Sequence, residues 1–191
     1  MQKPLVSWLI PIYHCENSIS RAFDSMIQQS YSNFEIIVVI EAGTNAETIA
    51  ICEAYAKKNQ CMKLIYNTQR LGIALSLNEG LKYCTGKYVA RMDADDWSYP
   101  DRLEKQVAYM EAHPNISLSA GNAIIMNGPN KRVKYKEILT SEEIRAFLLF
   151  RTYFMHPAII FRNEKKFVYP NRIAEDYALF ADCISKEKMA L

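Results

Sequence analysis

Short apolar runs alternate with helical patterns along the N-terminal half of the chain. Leu5–Ile12 and Phe34–Ile40 are mainly apolar runs of strand length, which is typical of strands buried on both faces of a sheet. Apolar residues at helical spacing lie between them, namely Ile19, Ala22, Phe23, Met26 and Ile27. This order of elements predicts a parallel sheet covered by helices on both faces, because parallel neighbours need a crossover connection.

Helix-start signals mark the beginnings of the first two predicted helices. Asn17 or Ser18 is expected to cap the first helix. Thr44 and Glu47 have capping-box spacing, which predicts a second helix through Lys58. Such residues accept hydrogen bonds from backbone N–H groups that the first turn of a helix leaves unpaired.

Weaker patterns extend this alternation toward the C-terminus and favour a mixed sheet. Further strands are predicted at Met62–Tyr66, Lys87–Met92, Ile116–Met126, Arg132–Ile138 and Ala158–Phe161. Further helices are predicted from the stripes Ala74, Leu77, Leu81 and Cys84; Leu103, Val107 and Met110; and Ile144, Phe147 and Leu148. Pro100 suits a first helical position, and Thr140 with Glu143 has capping-box spacing. A turn is predicted at residues 127–130 and a last helix from about Glu175.

Length and composition favour one globular domain. The 191 residues suffice for one sizeable core and are too few for two ordinary domains, so residues 1–191 are expected to form a single domain. Half of the residues are apolar and 23% are charged, which excludes disordered and low-complexity chains. The formal net charge of +2 comes from basic and acidic residues spread along the chain, so no nucleic-acid partner is expected.

Cysteine usage and the lengths of the apolar runs indicate a cytoplasmic protein. The five cysteines form no C-x-x-C pair and are odd in number, which suits free thiols in a reducing compartment. No apolar stretch approaches the roughly 20 residues that span a bilayer. Any contact with a membrane is therefore expected to be peripheral, at its inner face.

Three carboxylates follow the predicted strand Lys87–Met92 within four residues. Asp93, Asp95 and Asp96 lie on a strand-to-helix loop, at the edge of an α/β sheet where ligands bind. A divalent cation such as Mg²⁺ or Mn²⁺ would offset their mutual repulsion and complete its coordination shell with substrate phosphates. The alternative is a solvated acidic turn in which Asp96 caps the next helix.

Three blocks of the sequence resemble family 2 glycosyltransferases. They are Val6–Val39, Arg70–Gly121, and FMHPAIIFR at 154–162 followed by AEDYALF at 174–180. The resemblance implies a GT-A-like, Rossmann-type α/β fold with a mixed, mainly parallel sheet and helices on both faces. It implies an inverting, metal-dependent enzyme of cell-surface polysaccharide synthesis. Such an enzyme moves a sugar from a nucleotide donor, with a UDP-sugar favoured, to a hydroxyl of a glycan or lipid-linked acceptor.

The resemblance also implies how the chain is divided. Residues 1–114 are expected to form the nucleotide-sugar-binding half, and residues 115–191 the acceptor-side half. Relatives continue beyond the AEDYALF block with further acceptor-side structure, whereas this chain ends soon after it. A C-terminally shortened acceptor half is therefore expected.

Carried over position by position, the resemblance assigns residues to the nucleotide. Pro11 and Tyr13 are expected under the base, with the Tyr13 ring stacked on it. Glu41 ends the second strand where the family usually has two aspartates, so it is the carboxylate expected to meet the base edge. Gly72 and Asn78 are expected near the diphosphate and ribose.

The same comparison assigns the metal ligand and the general base. Asp95 is expected to ligate the Mn²⁺ or Mg²⁺ ion that bridges the diphosphate, and Asp93 to bind the ribose or a metal-bound water. Asp176 resembles the family's base. Helical spacing agrees, because it places Glu175 opposite, and Asp176 beside, a predicted buried stripe of Tyr177, Phe180, Ala181 and Ile184. His156 is a weaker candidate base, better suited to a structural or acceptor-side position.

Rival functions lack their motifs. No G-x-G-x-x-G or Walker A sequence follows the first strand, which argues against a dehydrogenase and a P-loop phosphotransferase. The Gly-rich pyrophosphate loop of a nucleotidyltransferase is also absent. A non-catalytic module that binds a nucleotide sugar or a partner subunit stays open, because Glu41 departs from the family pattern and the acceptor half is short.

Overall fold

A mixed β-sheet forms the centre of the computed structural model, which describes residues 3–127, 130–134, 141–148, 154–164, 167–171, 174–184 and 188–190. The strands are β1 (Val6–Ile12), β2 (Phe34–Ile40), β3 (Met62–Tyr66), β4 (Tyr88–Arg91), β5 (Ile116–Ala120), β6 (Ala123–Asn127), β7 (Asn130–Lys134), β8 (Ile159–Arg162) and β9 (Lys188–Ala190). Within these residues the sheet has the order β3-β2-β1-β4-β8-β5-β9, while β6 and β7 pair separately.

The pairing of the strands confirms the predicted mixed, mainly parallel sheet. Strand β1 lies between β2 and β4 and is parallel to both, and β3 is parallel to β2. Strand β8 runs antiparallel to β4 and β5, and β9 is parallel to β5. The carboxyl ends of β1, β2 and β4 therefore lie at one edge of the sheet.

Helices cover both faces of the sheet. They are α1 (Ile19–Ile27), α2 (Ala46–Lys58), α3 (Ile73–Leu81), α4 (Arg102–Ala112), α5 (Ser141–Leu148) and α6 (Glu175–Ile184). Strand side chains alternate between faces, so the neighbours Trp8 and Leu9 enter different cores. Leu9 packs in the same core as Leu77 of α3, and Trp8 in the same core as Phe23 of α1 and Met110 of α4.

Of the predicted helix caps, Thr44 is wrong and Ser18 is confirmed in its position only. Asn45, not Thr44, caps α2, and its side chain accepts a hydrogen bond from the Thr48 N–H at 2.9 Å. Ser18 occupies the N-cap position of α1 without a side-chain cap bond, because its hydroxyl donates to the Cys15 carbonyl instead. Propensity alone does not distinguish neighbouring cap candidates, since the entry angle of the chain decides which one reaches the helix.

The start of α4 also differs from its prediction. Asp101 is its N-cap residue and Arg102 its first residue, so Pro100 precedes the helix. Asp96 lies five positions before the N-cap and does not cap α4. The chain between the acidic loop and α4 instead bonds to the end of α1, where the Ser98 N–H donates to the Ser25 hydroxyl at 2.9 Å, and to Gln29 just beyond it, which donates to the Tyr99 carbonyl at 2.8 Å.

The C-terminal half follows the predicted order with different boundaries. The predicted strand Ile116–Met126 is divided into β5 and β6. Strands β6 and β7 form a hairpin whose closing pair is Asn127 and Asn130. Cys84 lies beyond the end of α3, and Ile144 of α5 is buried as predicted. The predictions for residues 128, 129, 138 and 140 and for the side chains of Phe147 and Leu148 lie outside the described residues.

None of the helices in the described part of the chain combines the length and apolarity needed to cross a membrane.

The close approach of the chain at Gly86 generates a stability prediction. A Cβ atom there would lie 2.7 Å from the Ser7 nitrogen and 2.8 Å from the Leu5 oxygen, both in the backbone. We expect Gly86→Ala to lower the free energy of unfolding by about 1–3 kcal/mol in a urea titration. Gly121→Ala is the control, because its nearest Cβ contact would be 3.7 Å. Equal urea midpoints for the two variants would show that the neighbouring backbone leaves room for a side chain at Gly86.

Candidate active site

A cavity of about 520 Å³ opens at the carboxyl ends of β1, β2 and β4. Its volume is within the range of small-molecule sites, and its position is the edge at which open α/β sheets bind ligands. The predicted site residues among those that line it are Pro11, Tyr13, Glu41, Gly72, Asp93 and Asp95. The sheet thus brings together residues that are far apart in the sequence.

The acidic loop follows β4 directly and forms one wall of the cavity. One carboxylate oxygen from each of Asp93, Asp95 and Asp96 lies within 4.8 Å of the other two. Burial raises the pKa of Asp96, and the charges of Asp93 and Asp95 raise it further. Arg21 of α1 holds this loop by donating to the Asp95 carbonyl at 2.9 Å, while the Asp95 side chain is exposed to the cavity mouth.

A buried arginine that the sequence analysis did not identify lies behind the acidic loop. Arg91, the last residue of β4, is only 1% exposed and forms an ion pair with Asp93. A buried charge is expensive unless it is paired, so this contact fixes the orientation of the Asp93 carboxylate. Its sequence signal was an arginine inside an otherwise apolar strand that directly precedes three aspartates.

Glu41 has a different environment from the one predicted. Its side chain is buried, and its two carboxylate oxygens accept five hydrogen bonds from the protein. The donors are the N–H groups of Ala42, Leu71 and Gly72, the Asn67 amide and the Ser76 hydroxyl. Burial alone would raise the pKa of Glu41, but the backbone hydrogen bonds outweigh it and lower the pKa. The predicted contact with a base edge is therefore not supported, because a carboxylate offers only about four lone-pair positions.

Tyr13 lies at the cavity mouth just beyond β1. Its ring is 40% exposed, which makes it available for stacking. The guanidinium carbon of Arg70 lies 4.8 Å from the centroid of this ring, a cation–π contact. Arg70 also lines the cavity, although the sequence analysis did not include it among the site residues.

The structure separates Gly72 from Asn78. Gly72 lines the cavity at the start of α3 with a φ of 77°, a left-handed conformation that favours glycine. Asn78 lines another cavity, and its amide is bonded in both directions to the backbone of Tyr169, at 2.8 Å each. Asn78 thus positions the segment around Tyr169.

Asp176 is half-buried in the first turn of α6. Among the residues with described side chains, this helix buries Ala178, Leu179 and Phe180, of which Phe180 belongs to the predicted stripe. The side chains of Tyr177, Ala181 and Ile184 lie outside the described residues. Glu175 is also half-buried, so burial does not separate it from Asp176 as predicted. Asp176 is not among the residues that line the cavity.

Two non-glycine residues in the described ranges have positive φ angles, and both adjoin candidate site residues. His14, with a φ of 44°, lines the cavity beside Tyr13, and Ala174, with a φ of 57°, comes just before Glu175 and Asp176. Such conformations cost of order 1–3 kcal/mol and concentrate at functional sites. They favour a functional role for these two loops.

The chemistry of the acidic loop fits a hard divalent cation. Carboxylate oxygens are the ligands that Mg²⁺ and Mn²⁺ prefer, and three of them converge here. Asp93 is engaged by Arg91, whereas Asp95 is exposed at the cavity mouth. Asp95 is therefore the carboxylate best placed to meet a cation that arrives with a ligand.

Sequence comparison assigns the chain to a family. The sequence profile described as "Glycosyl transferase family 2" matches residues 7–172, so the chain belongs to this family. It is 36% identical over 160 residues to the putative glycosyltransferase EpsE of Bacillus subtilis, covering 83% of this chain and 56% of EpsE. It is 32% identical over 164 residues to the amylovoran biosynthesis glycosyltransferase AmsE of Erwinia amylovora, covering 84% of this chain and 61% of AmsE. The chain thus spans less than two thirds of these relatives.

Comparison with solved structures confirms the GT-A fold. Residues 1–349 of Staphylococcus aureus TarS in complex with UDP-GlcNAc match with a TM-score of 0.78 and 22% identity, covering 97% of this chain and 55% of TarS. The mannosyltransferase PcManGT of Pyrobaculum calidifontis, in complex with GDP-Man and Mn²⁺, matches with a TM-score of 0.74 and 21% identity. The match covers 98% of this chain and 54% of PcManGT.

The buried His156 generates a prediction on pH dependence. His156 is 8% exposed, and its Nε2 lies 3.1 Å from the Tyr169 hydroxyl. Burial, followed by the positive charge of Arg91, lowers the pKa of His156 to about 2 from the ordinary 6.5. Below pH 6.5 the unfolded chain therefore binds a proton that the folded protein does not, and the protein loses stability as the pH falls.

We expect urea titrations between about pH 6 and pH 4 to show this loss. Relative to His156→Gln, the wild type should lose about 1.4 kcal/mol more for each pH unit once the unfolded histidine is protonated. Comparing the slopes of the free energy of unfolding against pH removes the effect of the substitution on absolute stability. Parallel pH profiles would show that His156 is protonated in the folded protein.

Proposed function

We propose that this chain is the nucleotide-sugar-binding part of an inverting glycosyltransferase. The observation that carries the proposal is the cavity at the carboxyl edge, where the exposed Tyr13 ring and the acidic loop line one space. A ring that can stack on a base and carboxylates that can hold a metal–diphosphate are the two parts that a nucleotide sugar requires. The structures with bound UDP-GlcNAc and GDP-Man support this class of donor.

Asp95 would hold a Mn²⁺ or Mg²⁺ ion, and Asp93 would contact the ribose or a water on the ion. Bound there, the ion would neutralise the diphosphate charge as the sugar leaves. Arg91 would keep Asp93 in place, because the buried guanidinium forms an ion pair with this partly exposed carboxylate at the cavity wall. The Mn²⁺ in the PcManGT complex supports the use of a divalent cation.

Asp176 would act as the general base. Inversion is a single in-line displacement at the anomeric carbon, in which the acceptor oxygen forms a bond while the bond to the diphosphate oxygen breaks. The acceptor hydroxyl proton would pass to the Asp176 carboxylate on the face opposite the diphosphate.

The acceptor class is proposed from resemblance. A hydroxyl of a glycan or lipid-linked sugar in cell-surface polysaccharide synthesis suits the family, and the biosynthetic role printed in the name of AmsE supports it. Residues 115–191 would form the acceptor side, at the inner face of the membrane. A module that binds a nucleotide sugar without transferring it is the second candidate, and the two assays below distinguish the two functions.

We expect nucleotide binding to require a divalent cation, since the diphosphate otherwise meets the negative charges of the acidic loop. UDP and GDP should raise the melting temperature with Mn²⁺ and fail to do so with EDTA. Asp95→Asn should remove the Mn²⁺-dependent shift and leave unliganded melting unchanged. Asp101→Asn removes an exposed aspartate outside this loop and should behave as the wild type. Equal shifts with EDTA and Mn²⁺ would contradict the metal assignment.

We expect Asp176→Asn to bind nucleotide normally and to lose transfer by the roughly 10²- to 10⁴-fold typical of a missing general base. Glu175→Gln is the matched control, because it neutralises the adjacent carboxylate on the same helical turn. The measurement is sugar transfer to a working acceptor, with the anomeric configuration of the product read by NMR. Transfer near wild-type rates by Asp176→Asn would exclude it as the base, and a retained configuration would exclude the inverting mechanism.

A further inference from the structure

The Glu41 carboxylate is saturated by the protein itself. It is 7% exposed, and its two oxygens accept five hydrogen bonds, more than the about four lone-pair positions of a carboxylate. The next residue, Ala42, has no polar side-chain atom. Recognition of a base at this edge of the sheet is therefore left to other residues of the cavity.

Glu41 instead fixes the turn that carries Arg70. Its carboxylate accepts hydrogen bonds from the N–H groups of Leu71 at 3.0 Å and Gly72 at 2.6 Å. These are the two residues directly after Arg70, and the left-handed φ of Gly72 reverses the chain there. The anchored turn holds the base of the Arg70 side chain at the cavity, opposite Tyr13.

Arg70 has the properties of a ligand-binding residue. Its side chain is exposed and its guanidinium covers the Tyr13 ring at 4.8 Å. Among the described residues that line the cavity it is the only lysine or arginine, whereas Glu41, Asp93 and Asp95 are acidic. Within the described ranges, no carboxylate lies within ion-pair distance of Arg70. A cation without such a partner, lining an acidic cavity, is suited to an anionic ligand.

We propose that Arg70 and Tyr13 clamp the nucleotide base between guanidinium and ring, and that Glu41 is the positioning residue of this clamp. This inference rests on the proposed function. A base between two planes needs about 7 Å, twice an optimal separation of about 3.5 Å, so the guanidinium moves outward by about 2 Å. A long, exposed arginine side chain accommodates this movement without a change in the anchored turn.

The clamp defines what the site recognises. A guanidinium stacks on the face of a base as it does on a tyrosine ring, and every base has such a face. The Glu41 carboxylate does not recognise the edge of the base, because the protein's own donors surround it. The clamp therefore binds uracil and guanine nucleotides with similar affinity. The donor class is therefore a nucleoside diphosphate sugar that is selected more by its sugar and diphosphate than by its base.

The test is a double-mutant cycle on nucleotide affinity. Calorimetry with UDP and with GDP in the presence of Mn²⁺ compares the wild type with Arg70→Met, Glu41→Gln and the double variant. Arg70→Met should weaken both nucleotides about tenfold, as expected for one lost stacking partner. Glu41→Gln should weaken them several-fold, because its amide N–H₂ repels the backbone donors. The double variant should bind no more weakly than Arg70→Met, since Glu41 acts through Arg70.

Matched controls and a conservative variant complete the design. Lys57→Met and Glu47→Gln remove exposed charges of the same signs from α2 and should keep wild-type affinity. Arg70→Lys keeps the charge without the planar group, so it should recover little affinity. Full recovery by Arg70→Lys would indicate pairing with phosphate and overturn the clamp.

The remaining outcomes separate the two proposals. Wild-type affinity in Arg70→Met would overturn the clamp while leaving the proposed function intact. Additive losses in the double variant would overturn the positioning role of Glu41, and a loss confined to one nucleotide would overturn recognition through the base face. A wild type that binds neither nucleotide would contradict the proposed function itself. Arg70→Met, with its exposed side chain, decides the clamp even where Glu41→Gln does not fold.

Discussion

Crowding of carboxylates at one edge of the sheet is the constraint on which the rest of the site depends. Because β1, β2 and β4 are parallel, Glu41, Asp93 and Asp95 line the same cavity although they come from distant parts of the chain. Like charges so placed repel, and each is compensated differently. Five donors surround Glu41, the buried Arg91 pairs with Asp93, and Asp95 stays exposed. The protein thus compensates Glu41 and Asp93 with its own groups and leaves the Asp95 carboxylate exposed in the cavity.

This compensation changes the role of the N-terminus of α3. A helix N-terminus favours an anion, and in a nucleotide-binding fold that anion is often a phosphate. Here the Glu41 carboxylate accepts from the N–H groups of Leu71 and Gly72, just before the first helical residue Ile73, so an internal anion already lies at this end of α3. A diphosphate would then take its counter-charge from a cation at Asp95. The same contact ties the residue after β2 to the turn before α3, at the wall of the cavity.

The strands could be predicted from the sequence because buried apolar runs leave few alternatives, and β1, β2 and β3 lie where expected. The exposed acidic loop was also predictable, since its residues adjoin in sequence. Arg91 and Arg70 were not predicted as site residues. The role of Arg91 depends on its burial at the end of β4, although its partner Asp93 is only two residues away, and the role of Arg70 depends on Tyr13, which is distant in sequence. Glu41 was predicted as a site residue and lines the cavity, but its hydrogen bonds to the turn before α3 were not predicted. A carboxylate at a strand end can face a ligand or a neighbouring turn, and only tertiary packing selects between them.

The most direct test of the account is a crystal structure of the protein with Mn²⁺ and a non-hydrolysable UDP-sugar, with anomalous diffraction at the manganese edge. We expect one strong anomalous peak beside the Asp95 carboxylate in the cavity at the ends of β1, β2 and β4. We also expect the diphosphate against this peak and the base over the Tyr13 ring. Nucleotide bound in another cavity, or in this one with no manganese at Asp95, would contradict it.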